Sequence, residues 1–234
     1  MRKLALCLSL LLLFSCSHKN DIHIEGNLEN GNGRVLYLSL LNADGLQAVD
    51  SMVVRRNVFK FNISPKNIER WTGSGDPVFL QLSFVTDNAM TTLARCGETV
   101  RIKADANKLV STYRVEGQED AILMWQLDSA LASFVQYADT LLQIYQYYMD
   151  DDSARSWVEW HHNRAVEKHQ QYLRNFITAH PQSFSSMIAF YQKYNNLRFF
   201  DEKEDADLLR SLTDSLAECY PNSQYVRYLQ SRVR

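Results

Sequence analysis

The sequence predicts an α+β protein, with an antiparallel β-sandwich over Ile22 to Gly117 followed by an α-helical region from Gln118 to Arg234. Three observations carry this expectation. Apolar residues alternate with polar ones in short runs from Ile22 to Val115, the period of half-buried strands. Clusters of Asn, Asp, Gly and Pro separate the runs, as in folds made of many short strands. After Gly117 the apolar spacing becomes that of a helix and stays so to the end of the chain.

The strands follow in order. Ile22 and Ile24 share one face of the first, and Gly26 is expected to end it. Asn30-Gly31-Asn32-Gly33 reads as a hairpin turn, because Asn and Gly adopt positive φ at low cost. Arg34 to Leu41 is the second strand, with Val35 and Tyr37 on one face and Leu36, Leu38 and Leu40 on the other. Asn42-Ala43-Asp44-Gly45 turns the chain into Gln47 to Val54, and Val58 to Ile63 follows, with Phe59, Phe61 and Ile63 facing one way until Pro65. Phe79 to Phe84, Thr91 to Ala94, Thr99 to Ala104 and Thr112 to Val115 complete about eight strands.

Gln118 to Tyr148 is the first expected helix, on the spacing of Leu123, Leu127, Leu131 or Phe134, Ala138, Leu142 and Tyr145. Asp150-Asp151-Asp152-Ser153 breaks it and caps the next, since these side chains accept from free backbone N–H groups and favour the helix dipole. That second helix runs from about Ala154 to Ala179, with Trp157, Trp160, Tyr172, Leu173, Phe176 and Ile177 as its apolar residues, and His180-Pro181 ends it. Shorter helices are expected at Ser183 to Asn195, Glu204 to Cys219 and Ser223 to Arg232.

The amino terminus has the form of a targeting segment. Arg2 and Lys3 precede an apolar run from Leu4 to Phe14, too short to span a bilayer, and Leu13-Phe14-Ser15-Cys16 is lipobox-like. Residues 1–15 are therefore expected to be a lipoprotein signal peptide, Cys16 the lipidated residue of the mature chain, and residues 16–21 a tether. Removing the signal leaves 23 basic against 27 acidic side chains, a net charge of −4, and no basic block that would track a phosphate backbone, so nucleic acid is not an expected partner. Gly and Pro number only 8 and 4, which argues against long disordered stretches. Cys96 and Cys219 lie outside any Cys-x-x-Cys motif and are expected as two buried thiols rather than a disulfide.

Several of these strands carry short motifs: Ile24-Glu25-Gly26, Gly33-Arg34-Val35-Leu36-Tyr37-Leu38, Val49-Asp50-Ser51, Phe59-Lys60-Phe61, Gly97-Glu98-Thr99-Val100-Arg101-Ile102 and Val115-Glu116-Gly117. In these the chain resembles a β-sandwich domain of unknown function (DUF4369-type) that opens many lipoproteins of gut-type Gram-negative bacteria. The likeness is close over residues 22–117 and looser over the helices, through Asn175-Phe176-Ile177 and His180-Pro181-Gln182-Ser183. Asn57 stands where such proteins often have Gly. In the family these helices usually lead into a thioredoxin-like domain with a Trp-Cys-x-x-Cys site. This sequence has no Cys-x-x-Cys, so the resemblance implies the accessory part without its redox activity. It implies attachment to the outer membrane through Cys16, on the periplasmic face, because Ser17-His18-Lys19-Asn20-Asp21 lacks the acidic run that directs such proteins to the cell surface.

Several side chains of catalytic or metal-ligand type also have structural explanations. His161, His162 and His169, with Glu159 nearby, form the densest group of metal-ligand types, but Ala165 and Val166 stand where an i, i+4 partner would fall, so no metal or cofactor is expected. Asp50 and Ser51 are adjacent in a strand and point to opposite faces, which denies them direct cooperation as a catalytic pair. Tyr137, Tyr145, Tyr147, Tyr148, Trp157 and Trp160 could line a groove, but aromatic stripes at helical spacing are expected in the core. The acidic run Asp201-Glu202-Lys203-Glu204-Asp205 is accounted for by a helix start. With no convergent catalytic set, the expected function is a non-catalytic, lipid-anchored binding or adaptor module with an envelope protein as partner. The alternative is a membrane-tethered accessory of a thioredoxin-like oxidoreductase supplied by a separate chain. Dual acylation anchors stably, so Cys16→Ala should move the protein from the membrane pellet to the soluble periplasmic fraction. Continued pelleting would overturn the lipidation reading.

Overall fold

A computed structural model describes residues 20–42, 45–72, 75–85 and 88–233. The signal segment, Cys16 and most of the tether lie outside the described residues, as do Ala43 and Asp44 of the second expected turn. The alternating segments form β1 (Ile22–Glu29), β2 (Val35–Asn42), β3 (Gly45–Val53), β4 (Val58–Ile63), β5 (Val78–Val85), β6 (Asn88–Ala94), β7 (Thr99–Asp105) and β8 (Arg114–Glu116). They build two four-stranded sheets, ordered β4-β1-β7-β8 and β3-β2-β5-β6. The ladders are antiparallel apart from β1–β7, which is parallel and departs from the antiparallel expectation.

Two turns behave differently from their reading in the sequence. Gly26 lies inside β1 rather than ending it. A Cβ there would stand 1.8 Å from the Ile102 carbonyl oxygen and 2.9 Å from the Phe59 ring, so glycine permits close approach of β7. The Asn30–Gly33 turn is not a hairpin, since it carries the chain from β1 in one sheet to β2 in the other. It is locked to the Arg56-Asn57 turn, where both residues have positive φ. Asn32 Oδ1 accepts from the Arg56 amide at 2.7 Å, and Asn57 Oδ1 accepts from the Asn32 amide at 3.1 Å. Asn57 tolerates its left-handed φ, and each carboxamide oxygen reaches a backbone amide of the opposite turn.

Inward residues of both sheets fill one core. Ile22, Ile24, Leu36, Leu38, Phe59 and Phe61 belong to it, as do Leu80, Leu82, Val100 and Ile102. A second core lies on the other side of β5 and β6, where Phe79 and Leu93 meet the helices. These two strands thus bury apolar side chains on both faces, through Phe79 and Leu93 on the helix side.

The helices are α1 (Pro65–Thr72), α2 (Leu109–Thr112), α3 (Glu119–Tyr147), α4 (Asp152–Ala179), α5 (Phe184–Tyr191), α6 (Ala206–Cys219) and α7 (Gln224–Arg232). Pro65 opens α1 as well as closing the strand before it, a position that suits its fixed φ and missing N–H. Leu109–Thr112 takes the start of the last expected strand. The helix expected to reach Asn195 ends at Tyr191 and gives way to a hairpin of β9 (Lys193–Tyr194) and β10 (Leu197–Arg198), with Asn195 at φ 52° in its turn. The chain is thus mixed α and β, with sheets antiparallel but for one pair and helices toward the carboxyl end.

Sheet and helices meet at Asp120, in the first turn of α3 and nearly buried. Its Oδ2 accepts from Arg95 Nε at 2.7 Å and contacts Arg95 Nη2 at the same distance. Its Oδ1 accepts from the hydroxyl of Ser183, the N-cap of α5, at 2.7 Å. One carboxylate therefore joins the end of β6, the start of α3 and the start of α5, where the α3 dipole also favours it. A second tie runs from α7, whose Tyr225 hydroxyl donates to the Leu41 carbonyl at 2.8 Å while its ring packs edge-on against Phe79. Both cores are drawn from Ile22 onward, so the chain starting at Ser17 keeps all their residues. In that chain Asp120→Ala should cost about 2–3 kcal/mol in urea unfolding, the order for lost hydrogen bonds to a charged group. Asp120→Asn, which keeps an acceptor for Ser183, should cost less.

Candidate functional site

The first half of α3 packs against the body through Ala121, Leu123, Met124 and Leu127, and further on Phe134, Ala138 and Leu141 pack against α4. Beyond Leu141 the support ends. From Leu142 through Trp157 no residue is buried. The helix persists because Glu119–Tyr147 contains no Gly or Pro and is rich in good helix formers. The return helix starts where expected, since Asp151 Oδ1 accepts from the amides of Ser153 and Ala154 at 2.8 and 3.1 Å. The result is a helical hairpin whose outer end projects from the body.

This end carries the aromatic residues expected in the core. Tyr147 is 81% exposed, Trp160 61%, Met149 59%, Tyr148 49% and Trp157 48%. Tyr137 and Tyr145 are also exposed. Their helical spacing is real, but no other part of the described chain covers the stripe. Tyr147 and Tyr148 contact each other edge-on at 4.7 Å, and the His161 ring lies 3.9 Å from that of Trp157 and 4.7 Å from that of Trp160.

A cleft opens on each side of this hairpin. One, of about 560 Å³, has Leu142, Tyr145, Glu159, His162 and Asn195 in its walls. The other, of about 510 Å³, has a floor of Ala130, Phe134 and Ala165 and a rim that includes Tyr137, Arg164 and Lys168. The three histidines are thus distributed rather than gathered. His161 Nδ1 faces the Tyr137 hydroxyl at 3.1 Å, His162 lines the opposite cleft, and His169 is buried with Nε2 2.7 Å from Gln192 Oε1. Burial pushes the His169 pKa down. Among the described residues no group of three or more His, Cys, Asp or Glu side chains is placed to hold a metal ion.

The remaining candidates fall into structural roles. Asp50 and Ser51 are exposed on β3, and the Ser51 amide donates to Asp50 Oδ1 at 2.7 Å. In the acidic run, Asp201 Oδ1 accepts from the amides of Lys203 and Glu204, Glu202 takes both Arg232 Nε and Nη2, and Asp205 binds Arg174 at 2.6 Å. These bonds pin the start of α6 to α4 and α7, a larger role than a helix start alone. Cys96 and Cys219 are both free, as expected, but neither is the buried thiol expected: Cys96 is half-buried and Cys219 exposed. Burial first, then Glu69 and Asp21, pushes the Cys96 thiol pKa up.

Tyr113 and Asp128 escaped the sequence reading. The Tyr113 hydroxyl donates to Asp128 Oδ2 at 2.5 Å, joining the segment before β8 to α3. Burial pushes the Asp128 carboxyl up to about 6 although the tyrosine bond works against it, and the Tyr113 phenol also rises, through burial and the neighbouring charge. The pair lies in none of the clefts described above, so its displaced titration marks a structural joint. Arg164 and Lys168 also escaped it; their i, i+4 spacing on α4 was the available signal. No protein-family model matches the chain, and no curated protein or solved structure matches it either.

Asp128 makes stability depend on pH. A carboxyl whose pKa is higher folded than unfolded takes up a proton on folding, so its stabilisation is full below its unfolded value, near 4. That stabilisation is lost as pH rises through about 6. Urea unfolding should therefore show this contribution falling by about 1–3 kcal/mol between pH 4 and pH 7. Asp128→Asn should flatten the slope over that interval, and an unchanged slope would place the titration elsewhere.

Proposed function

We propose that this protein is a non-catalytic lipoprotein of the Gram-negative cell envelope, anchored through Cys16, that binds an envelope protein through the outer end of its α3–α4 arm. On this reading the two four-stranded sheets are the leaves of a β-sandwich of the DUF4369 type, which is supported by the single core they share. The body sits on the periplasmic face of the outer membrane. Its role is that of an adaptor: one end is fixed to lipid and the other is offered to a partner.

The observation that carries the reading is the run from Leu142 to Trp157, which exposes Tyr145, Tyr147, Tyr148, Met149 and Trp157 and has no buried residue. Apolar surface gathered in this way marks an interaction site. Tyr and Trp are the side chains that anchor interfaces, because they bury much area at little conformational cost. The geometry suits an adaptor too. The start of α3 lies at the same end of the sheets as the tether, since Arg95 binds Asp120 and the nearby Gly97 amide donates to the Asn20 carbonyl. At 1.5 Å per residue α3 then carries its far end about 40 Å away.

A photoreactive residue at Tyr147, introduced in the native envelope, should give one discrete crosslinked species. That species should vanish in a Trp157→Ala/Trp160→Ala background, and a probe at Val58 on the sheet should not produce it. Equal products from both probe positions would sink the reading. A thioredoxin-fold protein as the captured partner would tie the adaptor to thiol–disulfide exchange.

A further inference from the structure

We propose that the cleft between α3 and α4 floored by Phe134 is a binding site for a small amphipathic anion: an aromatic or acyl body carrying one carboxylate, sulfonate or phosphate. This goes beyond partner docking at the arm's end, and each can stand or fall without the other.

Shape and rigidity come first. The volume of about 510 Å³ is within the range of small-molecule sites. The floor is preformed, because the Phe134 ring is held by Phe199 at 5.3 Å, Tyr194 at 5.4 Å and His169 at 5.0 Å. Phe134 itself is buried, and the small side chains of Ala130 and Ala165 beside it leave room above this fixed floor. A flat or chain-like apolar group has a surface to cover there without rearranging the core.

Charge at the rim selects the ligand. Arg164 and Lys168 stand one turn apart on α4, and no carboxylate lines the cleft among the described residues. Arg164 contacts Glu167 at 3.2 Å, but that pair is exposed on both sides and therefore weak, and a guanidinium keeps further donors free. Lys168 has no ion pair among the described residues. Tyr137 places its hydroxyl at the same rim, bridged to His161. His169 beneath is buried, which pushes its pKa down, and faces Gln192. The cations thus gather at the mouth over an apolar floor, the arrangement that recognises an anionic head on an apolar body. The opposite cleft is the control within the molecule: of similar size, it presents Glu159 and asparagines and no Lys or Arg.

The test uses two dyes with closely similar aromatic bodies, 8-anilinonaphthalene-1-sulfonate and the uncharged N-phenyl-1-naphthylamine, titrated by fluorescence into the chain starting at Ser17. The sulfonate should bind saturably, and the uncharged dye about tenfold more weakly or worse, the order for losing a charge-assisted contact. The Arg164→Glu/Lys168→Glu variant should weaken the sulfonate by a similar factor and leave the neutral dye unchanged. Ser133→Trp, an exposed position filling the cleft, should abolish both at unchanged Tm. Equal affinity for the two dyes, indifference to the charge reversal, or loss of binding in Tyr147→Ala/Tyr148→Ala but not in Ser133→Trp would overturn the proposal.

Discussion

The architecture turns on one carboxylate. Asp120 is nearly buried, and its two oxygens answer to different parts of the chain, Oδ2 to Arg95 beyond β6 and Oδ1 to Ser183 at the start of α5. An ion pair at a rim would contribute little. Here the carboxylate also sits in the first turn of α3, so the helix dipole, a guanidinium and a hydroxyl converge on it. Phe79 and Leu93 also pack against the helices, but such packing is non-directional. The polar joint fixes where along the sheet α3 begins, and the direction of the arm follows from that origin.

The strands were legible because their rule is local. Alternation places Leu36, Leu38 and Leu40 on one face of β2 and Val35 and Tyr37 on the other, and burial shows the leucine face to be the inner one. What alternation does not contain is which strand lies beside which. The Asn30–Gly33 turn has hairpin chemistry, yet it leads between sheets, and β1 finds its parallel neighbour in β7 far along the sequence. Gly26 is the same lesson in one residue. A glycine between apolar residues reads as an interruption, and only the position of the Ile102 carbonyl reveals it as a point of close approach.

The helices were legible in existence and in their caps, and less so in what their faces touch. Asp151 caps α4 by the chemistry expected of its side chain. The helix expected through Asn195 fails at Gln192, whose side chain is occupied by His169 while its backbone is already extended. A tertiary hydrogen bond there accompanies the end of a local propensity, and no window of sequence around residue 192 contains His169. The distribution of His161, His162 and His169 over three environments has the same origin.

The arm shows why the aromatic stripe was misread. Periodicity at helical spacing says that one face of a helix is apolar. It is silent on whether the surface covering that face belongs to the same chain. For Leu123, Leu127 and Phe134 the cover is internal, and they are buried. For Tyr145, Tyr147, Tyr148 and Trp157 the pattern continues past the last buried residues of the arm, Leu141 on α3 and Val158 on α4. A face that meets only water gains nothing from being apolar. The stripe therefore continues past the packing that the described chain supplies, and the proposed partner site rests on that excess of uncovered aromatic surface.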